Sequence, residues 1–262
     1  MLIKRIKAII SSCEGQKIEG IGISVPGRIN RTEGRLVFAP NLKWRDVDLG
    51  KLVAKATGLD VELENAANAC VLAAAWFDHL EDCRNLVVVT VSEGIGIGIY
   101  MNGELARGHN NMAGEFGHVP LDPKGPLCTC GTRGCWEVFA SNRAAIRYYN
   151  HESATHSDRP NFTDLLRLAD CGDKKAVKAL DTMAHYLGRG MRMIVAGLAP
   201  ERIVVIGDLT RSWQRFGPVI ESEVKALVLQ GGYPPQLVPV HEEGTARLRG
   251  TVALVLQKHF GA

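Results

Sequence analysis

Two periods of apolar positions alternate along this chain. Residues 2–13 place Leu2, Ile3, Ile6, Ile9 and Ile10 on one helical face, with Lys4, Arg5 and Lys7 elsewhere. This spacing predicts an amphipathic helix with a solvated basic side. The run IEGIGISVPG (18–27) predicts a buried strand closed by a Pro-Gly turn, followed by a loop. A helix over 48–58 stopped by Gly58 and a short strand over 61–65 come next. Asn65 is placed to cap an Ala-rich helix running to Leu80. Residues 85–91 and 94–101 read as consecutive strands, with a turn at 102–105. Helical periodicity then covers 138–150, 161–170 and 173–198. A strand at 201–208, a helix near 212–229, a short strand at 237–240 and a last helix at 246–260 complete the pattern. Strands alternating with helices predict an α/β architecture, and no internal repeat or low-complexity run interrupts it.

Within EGIGIG (93–98), Gly94 and Gly96 share one strand face with Gly98, while Ile95 and Ile97 point the other way. A bare strand face favours close packing by a neighbouring element. A Gly-rich stretch alone is weak evidence for phosphate binding, and Glu93 beside it argues further for packing.

Composition changes this picture little. A chain of 262 residues fits one large or two modest domains, and 46% hydrophobic with 23% charged residues is ordinary for a globular protein. A net charge of +3 is too small to advertise a nucleic-acid surface. No apolar run approaches the roughly 20 residues of a membrane helix. The opening segment is too charged for a signal peptide. Cys13, Cys70, Cys83 and Cys171 are scattered singly, which gives no disulfide framework and fits a reducing cytoplasm.

The other three cysteines are different. His118, Cys128, Cys130 and Cys135 form an H-x9-C-x-C-x4-C pattern, with Gly125, Pro126, Gly131 and Gly134 available for tight turns between them. One imidazole and three thiolates make the donor set of a closed, tetrahedral structural Zn²⁺ site.

GEFGH (114–118) followed by CTCGTRGCWE (128–137) resembles the signature of the ROK family of repressors, open reading frames and sugar kinases. SVPGRIN (24–30), APNLKW (39–44), Glu64-Asn65 with Asn68-Ala69, EGIGIG, IVVIGD (203–208) and ARLRG (246–250) follow the family's order. The resemblance implies two ribonuclease-H-like lobes of the actin-like ATPase and sugar kinase fold, closing over a sugar. The expected N-terminal lobe is 1–75 plus 245–262, with its first strands missing. The expected C-terminal lobe is 76–244, with the zinc-binding loop. It further implies that Glu115 and Glu137 accept hydrogen bonds from sugar hydroxyls, that Asn65 adds an amide contact, and that His118 serves both zinc and sugar. Gly27 and Arg28 are expected to line the same cleft. A homodimer or tetramer is expected, partly because the edge of the 18–27 strand would otherwise lie open.

Departures from the family's kinases carry equal weight. Those kinases read Asn-Asp-x-Asn, with Asp as general base, where this chain reads Asn65-Ala66-Ala67-Asn68. Their second phosphate loop reads Gly-Thr-Gly-x-Gly; here it is Ser92-Glu93-Gly94-Ile95-Gly96. A Gly-Gly pair on the adenosine side is Gly207-Asp208, and the Asp-x-Gly-Gly-Thr phosphate loop has no counterpart. No catalytic residue is therefore assigned, and MgATP is not expected. The sugar-sensing core of a ROK transcriptional regulator is the expected function, with DNA contacted only through an N-terminal domain not in this chain. The competing expectation is an ATP-dependent, glucokinase-like sugar kinase with a truncated N-terminus and a substituted Asp. A third is an interaction protein that uses zinc only to fold.

Overall fold

A computed structural model describes residues 2–39, 42–77, 83–151, 160–226, 232–241 and 243–260. They gather into two compact units, the first of residues 1–81, 107–113 and 244–262, the second of 82–106 and 114–243.

The first unit opens with α1 (Leu2–Ser12) and β1 (Ile21–Val25). β1 pairs in parallel with β5 (Val61–Asn65), Val25 opposite Asn65. Between them, where the apolar pattern predicts a loop, the chain builds β2 (Arg28–Asn30), β3 (Arg35–Ala39) and β4 (Trp44–Val47) into an antiparallel sheet. These strands are short and weakly patterned. Leu36 and Ala39 are buried, but Phe38 and Trp44 are exposed, so no clean alternation marks them. Of the APNLKW motif, residues 40 and 41 lie outside the described residues. α2 (Leu49–Thr57) ends at Gly58, whose N–H donates to the Ala54 carbonyl. The core of this unit is Val25, Ile29, Leu36, Leu49, Val53 and Leu63, with Ile3 and Ile6 of α1 packed against it.

α3 (Ala66–Phe77) follows β5 directly. Asn65 caps it as the sequence predicts, Oδ1 accepting from the Asn68 N–H at 2.7 Å. The predicted extension to Leu80 falls on residues outside the described set. α9 (Glu243–Phe260) returns to this unit. There Gly250 lies so close to the Ala69 carbonyl of α3 that a Cβ would collide with it, and Gly22 is pressed likewise against Thr251. Among the described residues β1 pairs only with β5. Beside it α1, β1 and α9 line an apolar groove of about 660 Å³, with Ile6, Ile10, Ile23 and Leu248 in its walls.

The second unit carries a five-stranded sheet in the order β10-β9-β6-β7-β8. Its strands are β6 (Leu86–Val91), β7 (Ile95–Met101), β8 (Glu104–Leu105), β9 (Arg202–Ile206) and β10 (Gln236–Val240). β6, β9 and β10 are parallel; β7 and β8 are antiparallel additions. All six residues of β6 are buried, which is why it reads as a continuous apolar run. The predicted turn at 102–105 is narrower. Asn102 and Gly103 (φ 57° and 86°) form a two-residue hairpin turn, and Glu104–Leu105 pair back as β8.

Among the described residues, five α-helices complete this unit: α4 (Glu137–Ala140), α5 (Asn142–His151), α6 (Phe162–Asp170), α7 (Lys174–Leu198) and α8 (Trp213–Lys225). The single helix predicted over 138–150 is broken at Ser141, which is extended (φ −86°, ψ 168°). The Asn142 N–H leaves the helical ladder to donate to the Ser92 carbonyl at 2.8 Å. The last residues of the helix predicted to reach 229 lie outside the described set. Among the described residues no helix is long and apolar enough to cross a membrane.

The α9–α3 contact gives a direct test. Gly250→Ala forces a methyl group against a backbone carbonyl and is expected to lower unfolding free energy by about 1–3 kcal/mol. Urea denaturation measures this, and an unchanged midpoint would show that α9 does not pack as described.

Candidate metal and ligand site

The second unit's site begins with a pinned loop. Gly114 and Gly117 bring the short helical turn Glu115–His118 against the Ile97 and Ile95 carbonyls of β7, with no room for a Cβ at either glycine. The chain then runs to Trp136 and folds back on itself. The Trp136 N–H donates to the Val119 carbonyl at 2.9 Å, and the Leu121 N–H to the Gly134 carbonyl at 2.8 Å. Gly134 needs its glycine, since φ is 70° and the Asp122 carbonyl fills the place of a Cβ. Trp136 is fully buried, and its indole N–H donates to the Tyr186 carbonyl at 2.9 Å, which anchors the loop's end on α7.

This loop brings the four predicted metal ligands together. The donor atoms of His118, Cys128, Cys130 and Cys135 all lie within 4.8 Å of one another. Cys128 Sγ is 3.6 Å from His118 Nδ1, and Cys130 Sγ is 3.6 Å from Cys135 Sγ. A tetrahedral ion with metal–sulfur bonds of about 2.3 Å holds its sulfurs about 3.8 Å apart, so the observed spacings fit such an ion. Thr132 Oγ1 sits 2.9 Å from Cys135 Sγ and 3.1 Å from Cys130 Sγ, a contact for which the cysteine spacing gave no signal. Burial pushes the Cys128 thiol up to about 12 in the metal-free protein. Burial also works against ionisation of Cys130, but hydrogen bonds from Thr132, Cys128 and Cys135 together outweigh it and bring that thiol down to about 7. Metal capture thus has to displace protons from the buried thiols.

Three of the predicted sugar contacts surround this cluster. His118 turns Nδ1 to Cys128 and Nε2 to Glu115, whose Oε2 lies at 3.8 Å. Glu137 opens α4; its Oε2 accepts from the Ile95 N–H at 3.1 Å, and its Oε1 lies 3.9 Å from Cys128 Sγ. The other three belong to the first unit. Gly27 (φ 92°) turns β1 into β2, Arg28 is exposed at the start of β2, and Asn65 caps α3.

Beside Asn65 stands a polar knot not apparent from the sequence. Glu64 is fully buried and accepts from Arg107 Nε at 2.9 Å, Asn68 Nδ2 at 3.1 Å and the Asn65 N–H at 3.0 Å. Arg107 is 43 residues away in sequence, and no local pattern could have paired it with Glu64. Ala66, the first residue of α3, holds the expected position of the general base. At the β6–β7 turn Glu93 pairs with Arg143 Nε at 2.7 Å. Asp208 follows β9 and faces Arg211 at 3.4 Å.

The ROK family model matches residues 1–258. The xylose repressor of Bacillus spizizenii is 34% identical over 242 residues, which are 92% of this chain and 62% of that protein. The chain therefore spans somewhat under two thirds of that curated relative. The glucokinase of Thermotoga maritima is 32% identical over 276 residues, covering 99% of this chain and 86% of the enzyme. Among solved structures, a ROK family glucokinase from Streptomyces griseus in complex with glucose and AMPPNP superposes with a TM-score of 0.85 at 28% identity, covering 97% of this chain and 87% of that one. The α/β architecture is thus that of the ROK sugar kinases and repressors, an actin-like ATPase fold.

The buried carboxylate of Glu64 gives a direct test of the β5–α3 corner. Arg107→Ala removes a charged hydrogen bond from a group with no access to water, and is expected to cost about 2–3 kcal/mol of stability. A loss below about 0.5 kcal/mol in denaturant titration would mean that Arg107 does not hold Glu64.

Proposed function

Because the chain belongs to the ROK family, we propose that it is the sugar-binding, effector-sensing core of a transcriptional regulator and performs no phosphoryl transfer. One observation carries the reading: Glu115 and Glu137 lie beside the His118, Cys128, Cys130 and Cys135 donor cluster, on the side of His118 and Cys128. Ionised carboxylates accept hydrogen bonds from adjacent hydroxyls, the chemistry by which sugars are held. Asn65 is proposed as a further amide contact, with Gly27 and Arg28 lining the ligand's surroundings.

The metal in this proposal is a structural Zn²⁺ on His118, Cys128, Cys130 and Cys135, which supplies a fixed tetrahedral anchor for the loop. Ligation through Nδ1 fixes the ring and leaves Nε2 for Glu115 or a sugar hydroxyl. Cytoplasmic location, assembly as a homodimer or tetramer, and contact with DNA through a domain outside this chain belong to the same proposal.

Two features favour sensing over catalysis. Ala66 has no proton-accepting group, and loss of a general base costs on the order of 10²–10⁴ in rate. The Glu93–Arg143 pair sets a carboxylate at the β6–β7 turn, where kinase chemistry needs a cradle for phosphate anions. The alternative reading is an ATP-dependent hexose kinase. It is supported by the 32% identity to the Thermotoga maritima glucokinase.

Metal analysis of the purified protein is expected to find one zinc per chain; absence of zinc with three maleimide-reactive thiols in the loop would refute the assignment. Calorimetric titration with xylose and glucose tests the ligand. Glu137→Ala, which removes a charged acceptor worth about 1.5–3 kcal/mol per hydrogen bond, is expected to weaken binding at least tenfold. In a coupled ADP-release assay neither the parent nor Ala66→Asp should turn over with either sugar. Turnover near the usual kinase range of roughly 1–100 s⁻¹ would establish the kinase reading instead.

A further inference from the structure

We infer that Gly94 is a positioning residue, whose missing side chain makes the space that holds the Glu137 carboxylate in its sugar-binding orientation. This rests on the sugar-binding reading above.

The backbone does not require glycine at this position, because Gly94 is absent from the positive-φ residues of the chain. What it makes is room. A Cβ built on Gly94 would collide with Glu137 Oε2 and would lie 3.1 Å from the carboxylate carbon. The same oxygen accepts from the next N–H of the chain, that of Ile95, at 3.1 Å. The carboxylate thus meets the backbone at 94–95 through Oε2, at the turn into β7. The sequence leads one to expect close packing on the glycine face; at Gly94 the neighbouring group is a carboxylate.

In the parent, contacts on two sides hold the carboxylate in place. On its far side Oε1 is already 3.9 Å from Cys128 Sγ, and Cys128 is held in the loop by its N–H bond to the Thr132 carbonyl at 2.8 Å. Glu137 itself follows the buried Trp136. The β6–β7 register, Val91 opposite Ile95, fixes the turn from below. One carboxylate oxygen is therefore committed to a backbone N–H, and the remaining lone pairs point in set directions. A ligand that binds a pre-oriented acceptor loses less ordering entropy than one that must immobilise it.

A methyl group at position 94 meets the free end of a side chain, not backbone. The carboxylate should swing away while the fold persists, which separates positioning from stability. Gly94→Ala is expected to bind xylose and glucose at least tenfold more weakly than the parent, with one metal per chain and a thermal midpoint close to the parent's. In amide NMR spectra the Ile95 N–H resonance should move in Gly94→Ala as it does in Glu137→Ala, since both lose the same hydrogen bond. Glu137→Asp keeps the charge but draws the carboxylate back by one methylene. It should weaken sugar binding to a similar degree, and decides the matter if Gly94→Ala does not fold. Parent-like affinity in Gly94→Ala or in Glu137→Asp overturns this inference alone. So does an Ile95 resonance that stays in place in Glu137→Ala. If the parent binds neither sugar, the sugar-binding reading fails and this inference fails with it.

Discussion

Three thiols and one imidazole converging on a single point are the constraint on which the second unit's site depends. The loop from Val119 to Trp136 has few apolar side chains to bury, and Leu127 stays largely exposed. Its shape comes from backbone hydrogen bonds that cross it, from Trp136 sealed against α7, and from the donors of His118, Cys128, Cys130 and Cys135. A metal at that point ties His118, at the loop's start, to Cys135, at its end. Structural zinc contributes about 10–16 kcal/mol of apparent binding free energy in small peptides, so even a fraction of that outweighs any single hydrogen bond in the loop. Glu115 lies one turn before His118, and Glu137 two residues after Cys135. Both carboxylates inherit their positions from the convergence.

The first unit solves a different problem with a buried charge. Glu64 has no contact with water, and its two oxygens are satisfied by Arg107, Asn68 and the Asn65 N–H. Asn65 in turn caps α3. The result is a rigid strand-to-helix corner, because a buried carboxylate tolerates few rearrangements that leave it unpaired. Ala66 stands at that corner, where the family's kinases place a proton acceptor.

Much of this was legible in the sequence, and the parts that were not have physical reasons. The convergence of His118, Cys128, Cys130 and Cys135 was legible because one short loop supplies all four. α1, α2, α7 and the strands of the parallel sheet follow apolar periodicity, because each buries a single face or, for β6, both faces. β2, β3 and β4 escaped notice because Phe38 and Trp44 point outward and blur the alternation. The break at Ser141 escaped because it is made by a long-range bond, Asn142 N–H to the Ser92 carbonyl, invisible to local periodicity. Glu64–Arg107 and Gly94–Glu137 are invisible for the same reason: neither partner carries a local signal of the other.

If the metal centre organises the carboxylates of Glu115 and Glu137, sugar binding depends on the metal. Sugar affinity measured by calorimetry on the same preparation before chelation, after chelation, and after zinc is restored tests it most directly. Binding of xylose or glucose is expected to be lost with the metal and to return with it. Equal affinity in the metal-free and zinc-loaded protein would contradict this dependence.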